Sequence, residues 1–588
     1  MKFDMRESSP RPDFYRENWV DLNGIWKFAF DDEEKGIKEQ WFQNFPVEEE
    51  IKVPYCYQCE ESGIGNTKIH KTLWYERNVE LTSEMKEKQV WLHFGAADQV
   101  TRVWINGIEA GSHKGGFTSF SFGVSDYISE ADTTMKITVC CKDDNEALQV
   151  RGKQHWNRET DRCWYTATSG IWQNVWLELT EGYRMERVKL TPDIDSKTVE
   201  VSLFFAQRPE QGMVKWAVSL EEHTLISGEQ TLAGKCDSFL IPMKNADPID
   251  NRRGLWEPSH PILYDLKIEF YDVGKLQDEV VTYFGMRKIE QKDGMIYLNH
   301  VPLYQRLVLD QGYWKETLMT PKNKEALYED LRLAKEMGFN GVRKHQKLED
   351  PRFLYYADKM GMLVWEEMPS DYEFTDIGLR ELTDMCIEMV ERDYNHPCII
   401  TWVPFNESWG IRDVYWNSEQ QHFAESIYHL LHSLDKTRLV STNDGWEAVH
   451  GDLVGIHDYE DDGEKLKERY LAKDHLMKGN AVDKMICSEA FEYNGEPVLL
   501  SEFGGVAIED GNDKSWGYHE KAQDSDALLE KMTELFEAVN AIPYFNGYCY
   551  TQLTDVEQET NGILDVHRKA KVDLTALRKV ILGTGYKY

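Results

Sequence analysis

Apolar and polar residues alternate along the first third of the chain with a period of two. That period puts every other side chain on one face of a strand. Val90-Trp-Leu-His-Phe94, Thr101-Arg-Val-Trp-Ile105 and Met135-Lys-Ile-Thr-Val139 carry it. Asn106-Gly107, between two such runs, is a strong hairpin-turn signal. No amphipathic helical stretch interrupts residues 12–182, so a β-sandwich of jelly-roll type is predicted for residues 1–182. It closes near Ser169-Gly-Ile-Trp-Gln-Asn-Val-Trp-Leu177. The alternation continues in Val199-Glu-Val-Ser-Leu203, Val214-Lys-Trp-Ala-Val-Ser-Leu220 and Tyr264-Asp-Leu-Lys-Ile-Glu-Phe270. Residues 183–285 thus have the strand pattern of an immunoglobulin-like sandwich, and at about a hundred residues its size.

After Phe284-Gly285 the period changes, and strand-like runs alternate with helical ones. Thr320 and Pro321 read as the cap and first position of a helix. Leu327, Leu331, Ala334 and Met337 line one of its faces, and Gly338 stops it. Phe339–His345 reads as a strand, Pro351–Met360 as a helix and Met362–Glu367 as a strand. Further strands are predicted at 398–405, 438–443, 453–457, 497–502 and 545–551, and Leu528, Met532, Leu535 and Val539 mark a late helix. With Leu303–Leu309 as the first, this gives eight strands in about 300 residues, which fits a (β/α)8 barrel over residues 286–588. A doubly wound sheet is the rival fold, but no glycine-rich phosphate loop follows the first strand.

In such a barrel the chemistry sits where the strands end. The polar residues that close the apolar runs are Arg306, Arg343, His345, Glu367, Asn406, Glu407, Asp444, His457, Asp458, Tyr459, Glu502 and Gln552. Besides Met362–Glu367, two of these strands end on a glutamate: Trp402-Val-Pro-Phe-Asn-Glu-Ser-Trp-Gly410 and Pro497-Val-Leu-Leu-Ser-Glu-Phe-Gly-Gly505. A carboxylate at a buried strand end is costly unless it is paired or used. Two of them, on strands four and seven, suggest the pair that cleaves glycosidic bonds. Glu407 is assigned as acid/base and Glu502 as nucleophile. Asn406 would bond a sugar 2-hydroxyl, and Arg343 would keep Glu502 ionised. Trp409 is a candidate sugar-stacking ring. Glu407 is expected to have a raised pKa beside an ionised Glu502, which falls once Glu502 is glycosylated.

The net charge of −36 repels phosphate backbones and anionic membranes, so a neutral carbohydrate is the expected partner. The Met1–Pro10 stretch has no apolar core of signal-peptide type, and no run of about eighteen apolar residues occurs. The ten cysteines are scattered, several of them in apolar strands (Cys140, Cys141, Cys398, Cys549). Reduced thiols in a cytoplasm are therefore expected. Cys56-Tyr-Gln-Cys59 is a lone C-x-x-C, and neither H-x-x-H nor H-E-x-x-H occurs around His345. No metal and no cofactor are predicted, and the oligomeric state stays open.

The motifs resemble the family 2 glycoside hydrolases from end to end. Asp21-Leu-Asn-Gly-Ile-Trp-Lys-Phe28, Trp104-Ile-Asn-Gly107 and Ser169–Trp176 are similar to that family's sugar-binding domain. Leu255–Leu266 and Phe284-Gly-Met-Arg-Lys-Ile289 are similar to the end of its sandwich domain. Gly338-Phe-Asn-Gly-Val-Arg343, Asn395-His-Pro397, Asn406-Glu407 and Ser501-Glu-Phe-Gly504 resemble its barrel signatures. The resemblance implies the same roles for Glu407, Glu502 and Asn406. It implies that Tyr459 stands beside the nucleophile and that His345 is the strand-two histidine, although Lys344-His-Gln-Lys347 replaces the usual Ser-His-Tyr-Pro. Asn561 falls where β-glucuronidases carry Asn-x-Lys, without the lysine, and Trp164 falls near the position of a galactose-binding Asp. Among enzymes the resemblance implies a retaining exo-glycosidase, with terminal β-D-galactosyl as the leading sugar. Glucuronosyl, mannosyl and arabinosyl remain alternatives within the class. A silent carbohydrate-binding protein is the alternative outside it, and a dinucleotide enzyme lacks its loop.

Overall fold

The computed structural model of the 588-residue chain describes all residues except 1–4, 47–48, 157–158, 245–251, 474–475, 477–482, 513 and 584–588. The first four residues of the N-terminal stretch read above therefore lie outside it. Two antiparallel sheets form the first layer pair. One has six strands (Glu49–Val53, Gly24–Phe30, Thr72–Glu80, Thr134–Lys142, Val100–Ile105 and Ile108–Lys114, in that spatial order) and the other four. Asn106 and Gly107 take φ of 50° and 81°, as a two-residue hairpin requires. Contrary to the all-strand reading, a one-turn helix, Ser83–Glu87, follows its cap Thr82. A second sandwich packs three strands (Met185–Asp193, Thr198–Phe205, Cys236–Pro242) on four. Strict alternation survives there: Tyr264, Leu266, Ile268 and Phe270 point inward.

The remainder is a parallel barrel of β1 (Gln305–Asp310), β2 (Gly341–Lys344), β3 (Leu363–Glu367), β4 (Ile399–Val403), β5 (Leu439–Val440), β6 (Val454–His457), β7 (Val498–Gly504) and β8 (Phe545–Thr551). Hydrogen-bonded neighbours run β5-β4-β3-β2-β1-β8-β7-β6. The β5–β6 seam has no ladder among the described residues. It is bridged by the backbone N–H of His457 donating to the Gly445 carbonyl at 3.3 Å and that of Asp452 to Val440 at 3.0 Å. These strands are buried on both faces, which explains their unbroken apolar runs. Helix α1 (Lys324–Met337) buries Leu327, Leu331, Ala334 and Met337 and ends at Gly338 with φ of 102°. Its cap is Asn323, not Thr320, and accepts from the Ala326 N–H. The Thr320 hydroxyl donates instead to the Trp172 carbonyl at 2.6 Å, tying the barrel to the first sandwich. Helix α2 (Pro351–Met360) is capped by Asp350.

The first sandwich lays residues 151–156 and 159–166 over the barrel mouth. The Arg151 and Gly152 N–H groups both donate to the Ser370 carbonyl at 3.0 Å. The Thr166 N–H donates to Glu557, and the Tyr165 hydroxyl to Glu559 at 2.5 Å. Gly152 has φ of 60°, and a Cβ there would stand 2.4 Å from the Gln346 carbonyl oxygen. Only glycine lets this segment come so close.

Candidate active site

The site is built around Arg343, the third residue of β2, which is fully buried. A buried guanidinium needs acceptors for its fork of donors. Arg343 donates to Glu367 Oε2 at 2.8 Å, Glu502 Oε1 at 3.0 Å, Asn406 Oδ1 at 2.6 Å and the Ser501 carbonyl at 3.1 Å. Asp444 Oδ2 lies 2.7 Å away. Burial works against its charge, and Glu367, Asp444 and Glu502 more than restore it. Burial pushes Glu367 up to about 7, against the pull of Arg343.

Glu407 reaches the mouth because the chain turns sharply after β4. Phe405–Asn406 pairs in parallel with Asn443–Asp444, and then Glu407 and Ser408 take φ of 53° and 60°. Left-handed backbone at non-glycine residues costs about 1–3 kcal/mol each and persists only where its surroundings enforce it. Here the Glu407 N–H donates to the Asp444 carbonyl at 2.9 Å, and the Ser408 N–H to Asn443 Oδ1 at 3.0 Å. Ser408 Oγ donates to Glu447 at 2.7 Å.

Glu502 lies near the end of β7 and is 4% exposed. The Tyr459 hydroxyl donates to its second oxygen and also contacts Thr551 Oγ1 at 3.2 Å. Tyr459 is stacked on Tyr518 with ring centroids 3.5 Å apart. One carboxylate oxygen of Glu407 and one of Glu502 lie within 4.8 Å of each other. Carboxyl groups that act by retention stand about 5–5.5 Å apart and those that act by inversion about 6.5–9.5 Å. So close an approach of two carboxylate oxygens is nearer to the retaining spacing than to the inverting one. Asn406 spends its oxygen on Arg343, and its amide nitrogen has no acceptor among the described residues.

His457 corrects one expectation. Its Nδ1 bonds Glu407 Oε1 at 2.8 Å, and its Nε2 bonds Asp444 Oδ2 at 3.0 Å and stands 3.5 Å from Glu502. Arg343 Nη1 is 3.2 Å from the same Nε2, and the Trp446 ring lies 5.7 Å from the imidazole. Burial disfavours an imidazolium here, but the Glu502 charge and the bonds to Asp444 and Glu407 push it up to about 10. Burial likewise pushes Glu407 up, and the hydrogen bond and charge of His457 outweigh it. Glu407 is therefore held below its ordinary range, not above it. The sequence placed both residues at strand ends but gave no sign that they touch.

A general acid must carry its proton, so kcat/KM falls as pH rises through the Glu407 pKa. Replacing His457 with Gln keeps a donor and removes the charge. The Glu407 pKa then rises, and the alkaline limb of kcat/KM is expected to move up by about one to two pH units, measured on an aryl glycoside. A limb that stays in place would count against this electrostatic link.

His345 bonds Glu367 through Nδ1 at 2.9 Å, and burial holds it well below the usual histidine range, so it is neutral. Gln552 and Asn561 meet each other: Gln552 donates to Asn561 Oδ1 at 2.8 Å and accepts from Gln311 at 2.9 Å. Asn561 continues the chain to Glu559 at 3.1 Å. Trp164 and Trp409 meet edge to face, 5.3 Å between centroids, and both pack on Tyr372. Trp402 is core, its indole N–H on Asp435 at 3.0 Å. Arg306 does not join the site: as the second residue of β1 it lies toward the opposite end of the barrel, over Tyr304. The two lysines that flank His345 are structural. Lys344 bonds Asp310 and Glu349, and Lys347 bonds Glu349 and two carbonyls.

Sequence reasoning missed Glu559, Tyr372 and Lys153. Glu559 is buried, and burial raises its pKa while Lys153 and its hydrogen bonds to Tyr165 and Asn561 pull back. Its only signal was proximity to Asn561. Lys153 lies in a stretch with no periodicity. Among the described residues, Glu407, His457 and Glu502 could together hold a cation. Arg343 and the His457 imidazolium already bring positive charge to that point. All ten cysteines are free thiols, and Cys56 and Cys59 are buried together with Tyr55.

Three family models match consecutive stretches: Glycosyl hydrolases family 2, sugar binding domain, at residues 20–180; Glycosyl hydrolases family 2 at 183–287; and Glycosyl hydrolases family 2, TIM barrel domain, at 289–583. A β-galactosidase of Thermoanaerobacter pseudethanolicus is 26% identical over 430 residues, which cover 71% of this chain. The match spans only 53% of that relative, about half its length. A β-glucuronidase of Streptococcus agalactiae is 23% identical over 492 residues, 74% of this chain and 78% of that one. Among solved structures, a β-glucuronidase of an uncultured Clostridium sp. superposes with a TM-score of 0.77 at 22% identity, covering 96% of this chain and 98% of its own. A β-galacturonidase of Eisenbergiella tayi does so with 0.73 at 18% identity, covering 98% of each. At these identities the structures speak for the shared fold.

Proposed function

The chain belongs to family 2 of the glycosyl hydrolases, and from that membership we propose that it is a retaining exo-glycosidase that removes a terminal non-reducing sugar by double displacement. The observation that carries this reading is the approach of one Glu407 oxygen to within 4.8 Å of one Glu502 oxygen. Glu502 would attack the anomeric carbon, forming the glycosyl–enzyme bond as the bond to the leaving oxygen breaks. Glu407 would give that oxygen its proton, then take one from the water that releases the sugar. His457 suits the glycosyl–enzyme stage, because its charge stabilises the Glu407 carboxylate left by proton donation, the form that must then act as base. Substrate that expels water from the mouth strengthens the upward push of burial on Glu407 and so favours the protonated form needed first. Asn406 offers its free amide to a 2-hydroxyl, and Tyr459 and Arg343 hold the Glu502 carboxylate in place.

The expected outcome is retention. Proton NMR of an aryl β-glycoside during turnover should show the β-anomer of the free sugar first, with the α-anomer growing in only by mutarotation. The α-anomer appearing first would rule out double displacement. A silent binding protein is disfavoured by the retained pair, since binding alone gives no reason to hold two carboxylates so close. A neutral sugar such as β-D-galactosyl remains the reading drawn from the missing Asn-x-Lys lysine, and the amide and carboxyl wall of Gln311, Gln552, Asn561 and Glu559 offers partners to its hydroxyls. No helix among the described residues is long and apolar enough to cross a membrane, and a cytoplasmic location is proposed from the free thiols.

A further inference from the structure

The first sandwich inserts a cation into the pocket. Lys153 is 7% exposed. Its backbone is fixed on both sides: its carbonyl accepts from the Tyr165 N–H at 2.9 Å, and the Gly152 carbonyl accepts from the Tyr372 hydroxyl at 2.5 Å. Its ammonium lies 5.8 Å from the centre of the Trp164 ring. Its charge acts on Glu407, His345 and Glu559, which together line the mouth. Yet among the described residues no carboxylate lies within 4.0 Å of it. The thiol of Cys163 is a polar neighbour, and burial pushes that thiol up to about 11, so it is uncharged.

The acids of the site are otherwise provided for. Arg343 serves Glu367, Asp444 and Glu502, and His457 serves Glu407. Glu559 is held by Tyr165 and Asn561. A buried ammonium with unspent donors is costly unless a partner arrives. We infer that Lys153 is a specificity-determining residue: it receives an anionic group on the terminal sugar, a carboxylate as in a hexuronic acid or a sulfate ester. This rests on the retaining-glycosidase reading and departs from its neutral-sugar form. Trp164 and Trp409, the edge-to-face pair beside it, give the apolar wall against which the ring carrying that group would lie.

The test compares p-nitrophenyl β-D-galactoside, 6-sulfo-β-D-galactoside, β-D-glucuronide and β-D-galacturonide on the wild type, Lys153→Met and Lys153→Arg. The wild type should prefer an anionic glycoside, and the sulfate and carboxylate arms tell the two sources apart. Lys153→Met should lower the ratio of anionic to neutral kcat/KM by about 10- to 100-fold, the loss expected for a charged hydrogen bond. Lys153→Arg should recover part of it. A fall of equal size on all substrates would mean that Lys153 acts only through its field on Glu407 and would overturn the inference. A wild type that cleaves only the neutral sugar overturns it too but leaves the glycosidase reading standing. A wild type that cleaves none of the four, and no p-nitrophenyl mannoside or arabinoside run beside them, overturns both.

Discussion

Glu502→Ala is expected to lower kcat by at least about 10⁴-fold on any aryl glycoside the wild type cleaves, the scale seen when a covalent nucleophile is removed. The fold should survive. The substitution leaves Arg343 bound to Glu367 and Asp444 and deletes only one of its anions. It also opens a space bordered by Tyr459 and Arg343, where a small anion can sit. Azide should therefore restore turnover. Its nitrogen forms the bond to the anomeric carbon from the side Glu502 occupied, the bond to the leaving oxygen breaks, and Glu407 supplies the proton. The product is the α-glycosyl azide. The same anion added to Glu407→Ala would instead attack the glycosyl–enzyme and give the β-azide. Chromatography of the products separates the two, and a β-azide from Glu502→Ala would mean that the two glutamates had been assigned the wrong way round.

Arg343→Met is expected to damage stability as well as rate. Methionine fills similar volume but leaves Glu367, Asp444 and Glu502 without their shared cation and the Asn406 and Ser501 oxygens without their donor. Breaking a buried ion pair from one side costs about 3–5 kcal/mol. In a domain of the barrel's size, at about 2.1 cal/mol/K of unfolding entropy per residue, that corresponds to a thermal midpoint lower by roughly 5–8 °C. Arg343→Lys should recover less than half, because an ammonium cannot reach four acceptors spread around a planar fork. Calorimetry of the three proteins decides this. Equal midpoints would mean that the carboxylates are neutralised in some other way.

The fold was legible in the sequence because its elements are long and their periods unambiguous. Both sandwiches showed alternation, and the barrel strands showed unbroken apolar runs because both their faces are covered. The polar residues that end those runs included Arg343, Asn406, Glu407, His457 and Glu502, since a strand end is a local feature. What was not legible depends on contacts between distant segments. Thr320 looked like a cap, but its hydroxyl is drawn off by the Trp172 carbonyl. The bond between His457 and Glu407 depends on a left-handed turn at Glu407 and Ser408 that no glycine marks. That turn reversed the expected direction of the Glu407 pKa. Lys153 reaches the mouth only because Gly152 lets a loop of another domain close against Gln346, and nothing in its own neighbourhood announces this. Arg306 closes no run: it sits at the start of β1, and the strand's charged terminus is Asp310.

Double displacement requires that Glu502 form a covalent bond with the sugar. The most direct measurement is the mass of the wild-type protein after incubation with a 2-deoxy-2-fluoro-β-glycosyl fluoride of the sugar it cleaves. Fluorine slows both steps, and the fluoride leaving group restores the first, so the intermediate should accumulate. The mass is expected to rise by one fluoroglycosyl unit, carried by the peptide that contains Pro497–Gly505 and located on Glu502. An unlabelled protein that still cleaves the parent glycoside, or a label on Glu407, Glu367 or Glu559, would contradict it.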